Sequence, residues 1–237
     1  MIPKIVDKSW HDLNLWKNID EIKTYLSKVR FTPEASDIFR GFSINRHSIR
    51  VVIVGLAPYN TILANGKPLA TGIPFDVPEG YDRPSLDVIR ECLWNDYHDI
   101  RSERLDISKW LDEGVFLLNK YLTVTPFGKA DSHKDIWSSF TKSVISELDR
   151  EMNAVVFVFL GKEAAEYKDL VSARNYILEY CHPAATVYAK SRGKVPEHLD
   201  FTKSEMFKTI DEITYNIDKT KISSNLNLEW LLIQGFL

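Results

Sequence analysis

Cysteine is scarce in this chain: Cys92 and Cys181 are the only two in 237 residues. Two thiols make no disulfide framework, which points to a reducing, intracellular compartment: cytoplasm or nucleoid, or the nucleus of a eukaryotic or viral host. An excess of one charge is lacking as well. The 30 Lys and Arg against 33 Asp and Glu leave a net charge of -3. That balance excludes a charged tail or a uniformly basic surface and confines any nucleic-acid contact to a local patch. Apolar runs stop short of the about 18 residues that span a bilayer, so no membrane partner is expected. The start, MIPKIVDKSWHDL, does not read as a signal peptide. Repeats, low-complexity tracts and linkers are missing too. One domain is therefore expected over 1–237, with a helical part at 1–45, a core at 50–210 and a C-terminal segment at 211–237. A hydrophobic share of 44% and an aromatic share of 12% exclude disorder and allow a sizeable core.

Familiar site grammars are also absent. The chain has no GxGxxG, Walker A, HExxH or GxSxG pattern. Its six histidines are scattered and neither cysteine has a partner at metal-ligand spacing, so neither a metal nor a cofactor is expected. Cys181 beside His182 does not make a thiol–imidazole pair, because adjacent residues of a strand face opposite ways.

What is present is a set of apolar, β-branched runs of the kind that form strands buried on both faces. RVVIVG (50–55), VFLLNKYLTV (115–124), AVVFVFLG (154–161) and the shorter YILEYCHP (176–183) alternate with helical patterns. Those helices are LDVIRECLWNDY after Ser85, DIWSSFTKSVISELDREM, and KEAAEYKDLV. The expected fold is α/β and three-layered, a parallel central sheet between helices. Before the first strand, helices are expected in WHDLNLWKNIDEIKTYLSKVR and in TPEASDIFRGF, with Pro33 in the first turn of the latter.

In open α/β sheets ligands bind beyond the carboxyl ends of the strands. GLAPYN (55–60), Asn119, Gly161 and HPAATVY (182–188) all fall there. Singly, each has a plain structural reading: a glycine ends a strand, an asparagine bonds its own loop, a histidine before proline fixes a turn. Together, at one edge, they mark a candidate site.

These loops resemble the uracil-DNA glycosylase superfamily, most closely its family 1 layout. GLAPYN stands where that branch has GQDPYH, ATGIPFDV (70–77) where it has AHGLCFSV, and RPSL (83–86) where it has PPSL. FLLNKYLTV (116–124), ADSHKDIW (130–137), VFVFLGKEAA (156–165), HPAATV (182–187) and a final LEW (228–230) follow in the family's order. The resemblance implies a four-stranded parallel sheet and a base pocket. Phe75 would stack on a flipped base, Asn119 would bond its Watson–Crick edge, and Tyr59 would pack near C5. His182 would donate toward O2, with the Leu56 and Ala57 amides nearby.

Three departures bear on the chemistry. Ala57 replaces the family's catalytic aspartate, although the family 5 branch also opens its first motif with GLAP and has alanine there. Asn60 replaces the adjacent histidine, which makes Asn60 and Asp76 the candidates to position water. Ala184 replaces the serine of HPS and Thr186 the intercalating leucine. Ser85 and a basic loop carrying Thr186, Lys190, Arg192 and Lys194 are the expected DNA contacts. The expected partner is DNA containing the target base, with the chain acting as a monomer. A replication or repair protein is a further candidate partner. The function implied is hydrolysis of the N-glycosidic bond of uracil or a modified pyrimidine. Three alternatives stand beside it: excision of a hypermodified phage base as antiviral defence, a silent DNA- or replication-protein-binding relative, and an enzyme of free nucleosides. Trp230 and the apolar residues after it remain without an assigned role.

Overall fold

The computed structural model of the chain describes residues 2–98 and 105–221. Four strands form one parallel sheet: β1 (Val51–Gly55), β2 (Val115–Asn119), β3 (Val156–Leu160) and β4 (Tyr176–Tyr180), in the order β2-β1-β3-β4. Val51 pairs with Val115 on one side and Val156 on the other, and Val156 pairs with Tyr176. The first three strands are buried at every position, as their unbroken apolar runs require. β4 is largely exposed, an edge strand carrying Glu179.

Six α-helices flank the sheet among the described residues: α1 (Ile19–Leu26), α2 (Pro84–Tyr97), α3 (Lys134–Glu151), α4 (Lys162–Ala165), α5 (Pro183–Ser191) and α6 (Met206–Lys221). α1 and α3 pack together in one layer, and α2, α5 and α6 in the other. Pro84 sits in the first turn of α2, where its missing N–H costs nothing. The α6 N-terminus is capped from α2: the Asp96 carboxylate accepts the Phe207 amide at 3.1 Å and the Lys208 amide at 3.4 Å. The other edge of the sheet, β2, is covered by the turn at Arg40–Ser43. A Cβ at Gly41 would lie 2.7 Å from the Leu117 carbonyl, so glycine permits that approach.

One hydrophobic core runs from Val6 to Ile210. Its densest part joins the N-terminal turns to the sheet. Trp10, Phe42 and Phe116 meet at 5.0–5.2 Å, and Trp16, Phe39 and Phe140 surround them in mostly edge-to-face contacts.

The structure corrects three expectations about elements. No α-helix forms over 32–42: Thr32 pairs with Val124 in an isolated bridge, its bond to Pro33 is cis, and turns follow up to the 3-10 segment. The second apolar run is a strand only to Asn119, because the Lys120 and Tyr121 amides turn to the Gly55 and Leu56 carbonyls. The segment after His182 is not a basic loop. Residues 183–191 are helix α5, and 3-10 turns follow at Glu197–Leu199 and Phe201–Lys203. Trp230 and the terminal apolar residues lie outside the described part of the chain.

Candidate active site

The strand order dictates where a cleft can open. From β1 the chain crosses to β2 on one side, and from β3 to β4 on the other, so the loops leaving β1 and β3 diverge. Above that point lies a cleft of about 500 Å³. Leu56, Ala57, Pro58, Tyr59 and Asn60 line it from the loop after β1, Ala70, Ile73 and Phe75 from the long loop that follows, and Ser85 from the start of α2. Asn119 enters from the end of β2, Ala130 from the loop beyond, and His182, Ala184, Ala185 and Tyr188 from the start of α5. The sequence motifs singled out residues at 56, 57, 59, 60, 75, 85, 119 and 182, and all of them reach this one cleft.

Glycines let the functional side chains come together. A Cβ at Gly55 would stand 2.9 Å from Asn119 Oδ1 and 3.5 Å from the Phe75 ring, so the bare β1 terminus makes room for both. At Gly161, φ +89°, a Cβ would lie 3.1 Å from the His182 Cβ, so glycine makes room there too. Phe75 itself has a left-handed backbone, φ 65°, a costly conformation for an aromatic residue. Its ring lies 5.5 Å from the His182 ring. Asn119 is 5% exposed, and among the described residues its side-chain amide has no hydrogen-bond partner. Both its donor and its acceptor remain for a ligand.

The titratable groups are held neutral. His182 caps α5: its Nδ1 accepts the Ala184 amide at 3.1 Å, which places the ring proton on Nε2. Desolvation pushes this imidazole down to about 4. Burial pushes the Tyr59 phenol up to about 12. The Tyr59 hydroxyl lies 2.8 Å from Ser85 Oγ, and the Arg83 guanidinium covers its ring at 5.6 Å. Burial likewise raises the half-buried Cys181 thiol, which does not line the cleft. Among the described residues no carboxylate lines the cleft, and no cluster of three His, Cys, Asp or Glu forms a metal site.

Asn60 is oriented from two sides. Its Nδ2 donates to the Gly128 carbonyl at 2.7 Å, and its own carbonyl accepts the Phe127 amide at 2.7 Å. With the nitrogen committed, Oδ1 is left as an acceptor.

Asp76 is a correction. It does not line the cleft; its buried carboxylate accepts the Thr71 hydroxyl at 2.5 Å and faces Arg40 at 3.7 Å. The residue next to Phe75 thus ties down the loop that presents Phe75. Thr186 is a second correction. It is 0% exposed, its hydroxyl donating to the Leu199 carbonyl at 2.7 Å and accepting the Phe201 amide at 2.9 Å, so it offers nothing to DNA. The Ser85 hydroxyl is taken by Tyr59, which leaves its backbone amide, in the first turn of α2, to meet an anion. Lys190 is exposed but bonded to Glu91 at 2.7 Å, whereas Arg192 and Lys194 are exposed beyond α5. Ala70, Ile73, Ala130 and Tyr188 were missed by sequence reasoning. All four fall inside the motifs quoted above, at 70–77, 130–137 and 182–188, which was the available signal.

Comparisons with known proteins identify the family. The sequence model of the uracil DNA glycosylase superfamily matches residues 42–209. A uracil-DNA glycosylase of Mycoplasmopsis pulmonis is 30% identical over 216 residues, covering 90% of this chain and 89% of that protein. One from Buchnera aphidicola is 37% identical over 196 residues, covering 79% and 84%. Among solved structures, mimivirus uracil-DNA glycosylase shares the fold at a TM-score of 0.76 and 23% identity, over 90% of this chain and 85% of that one. The chain belongs to the uracil-DNA glycosylase superfamily.

Proposed function

We infer that the protein is a DNA glycosylase that hydrolyses the bond between a pyrimidine base, uracil first, and its deoxyribose, leaving an abasic site. The observation that carries this is one cleft holding an unpartnered Asn119 amide, a Phe75 ring and a neutral His182 with its proton on Nε2. Each meets one need of the reaction. An extruded base stacks on Phe75 and presents its edge to the donor and acceptor of Asn119. Tyr59, locked beside Phe75 by Ser85, closes the pocket against bulk.

As the C1′–N1 bond breaks, its electron pair moves onto the base and charge develops at O2. His182 Nε2–H donates to that oxygen. A neutral donor suits this task, because it stabilises the anion without first being neutralised by it. The bond to water forms at C1′, and the water proton leaves to solvent or to the departing base. Asn60 Oδ1 is the acceptor that orients this water, in a cleft where Ala57 supplies only a methyl group. Within the superfamily, the ordered motifs support the family 1 layout with a family 5-like GLAP opening.

A second substrate is favoured by one feature. Ala57, Ala70, Ala130, Ala184 and Ala185 give the cleft small walls, which suits a pyrimidine larger than uracil. Mass spectrometry of bases released from DNA containing uracil or modified pyrimidines tests both readings. Release of uracil supports the first, and release of a modified base alone supports the second. No release at high enzyme excess overturns the enzyme reading.

A further inference from the structure

Of the large apolar side chains described, the two most exposed are Phe127, at 72%, and Tyr188, at 67%. One lines the cleft and the other sits in a turn bonded to it. Tyr188 lines it from α5, and Phe127 sits in the turn whose carbonyl at Gly128 holds Asn60. Their segments follow β2 and β4, the opposite edges of the sheet, so the two residues flank the cleft from different sides of the fold.

Phe127 is displayed at a cost. Thr125–Gly128 is a tight turn closed by the Gly128 amide on the Thr125 carbonyl at 2.9 Å, with Pro126 second and Phe127 third. Phe127 has φ 58°, the left-handed conformation that glycine or asparagine ordinarily supplies at that position. An aromatic ring held outward on strained backbone gains nothing from the core, and such strain gathers where function requires it. The turn is also rigid, being bonded to Asn60 through both the Phe127 amide and the Gly128 carbonyl. Exposed cations follow both residues in the chain: Lys129 two positions after Phe127, and Arg192 and Lys194 just beyond Tyr188. Exposed aromatic faces interleaved with cations match nucleic acid, in which every base offers a π-face and every link a phosphate.

We propose that Phe127 and Tyr188 are positioning residues that stack on the nucleotides flanking the extruded one, gripping the strand on both sides of the cleft. The proposal rests on the glycosylase reading for its substrate, and its test is separable from that reading. Duplexes carrying 2-aminopurine beside a tetrahydrofuran abasic analogue report stacking with no bond to break. The native protein should change the 2-aminopurine emission on binding. Phe127→Ala, Phe127→Asn (which keeps a left-handed backbone at ease) and Tyr188→Ala should each lose most of that change. They should also weaken duplex binding by roughly tenfold or more, as loss of one stacked base predicts. Phe127→Trp and Tyr188→Phe should restore both. Alanine variants with native emission and native affinity overturn the proposal, as does native binding with no emission change. A native protein that gives the emission change but releases no base would refute hydrolysis and leave the aromatic grip standing.

Discussion

At the scale of single residues, the cleft works through neutral groups. His182 is held uncharged by burial and by the Ala184 amide on Nδ1. His182→Ala should slow single-turnover base release by about 10²–10³-fold, the usual cost of losing one donor to a developing anion. The pH dependence follows from the depressed imidazole. Base release should stay level through neutrality, and its acid limb should fall near pH 4 instead of at the ordinary histidine value near 6.5. Stability has the same sign. Between those two values the unfolded chain binds a proton that the folded His182 refuses, so folding free energy should drop as pH falls through that window. Chemical denaturation at a series of pH values measures it, and His182→Ala should flatten the slope. Asn60 and Asp76 should separate cleanly. Asn60→Ala should slow base release by about 10- to 100-fold, as for a lost positioning contact. Asp76→Asn should leave the chemical step close to native and lower the denaturation midpoint instead, because its carboxylate serves Thr71 and Arg40. A larger rate loss for Asp76→Asn than for Asn60→Ala would reverse these assignments.

At the scale of elements, strand ends and caps set the geometry. β1 ends in Gly55, where the Asn119 amide and the Phe75 ring occupy the space of a side chain. Gly55→Ala should displace Asn119, whose Oδ1 would lie 2.9 Å from the new methyl group. Misplacing such a group by about 1 Å can cost on the order of 10²-fold in rate. Steady-state kinetics on uracil-containing DNA, with melting of the same variant, would show a rate loss larger than the stability loss explains. The α5 helix behaves differently from a flexible recognition loop. It begins at His182, buries Thr186 and presents Tyr188 outward within two turns. One short helix and its cap thus join the candidate anion-stabilising donor, a packing residue and an exposed aromatic in a fixed relation.

At the scale of the molecule, the N-terminal turns belong to the core. Trp10, Trp16, Phe39 and Phe42 pack with Phe116 of β2 and Phe140 of α3, and Arg46 pairs with Asp12 and Glu151 across the same seam. Phe42→Ala should cost about 3–5 kcal/mol of folding free energy, as large aromatic truncations in cores do. Denaturant titration measures this, and the variant should still release base below its melting range, because Phe42 does not line the cleft. The near-neutral net charge of -3 also has a molecular consequence. Binding to DNA should depend on salt less steeply than for a protein with a broad basic face, since the positive charge at hand is local.

The four strands of the parallel sheet were readable because they rest on local signals, whereas their order β2-β1-β3-β4 was not. Unbroken β-branched runs can only be strands buried on both faces, and glycine or asparagine at their ends marks where the chain must turn. The loops at 55–60 and 182–188 and Asn119 stood out as strand ends. The family resemblance added Phe75 and named the individual side chains, and the fold brings Leu56, Ala57, Tyr59, Asn60, Phe75, Asn119 and His182 to one cleft. Direction and partnership were not readable. Asp76 looked like a pocket carboxylate until Arg40 and Thr71 drew it inward. Thr186 looked like a surface residue until α5 turned it toward Leu199 and Phe201. Phe127 and Tyr188 had no role assigned from the sequence, and only packing shows that both stay outside the core. A residue type and its spacing specify the element it joins. Which way its side chain points is decided by contacts with segments far away in sequence, and those exist only after the chain has folded.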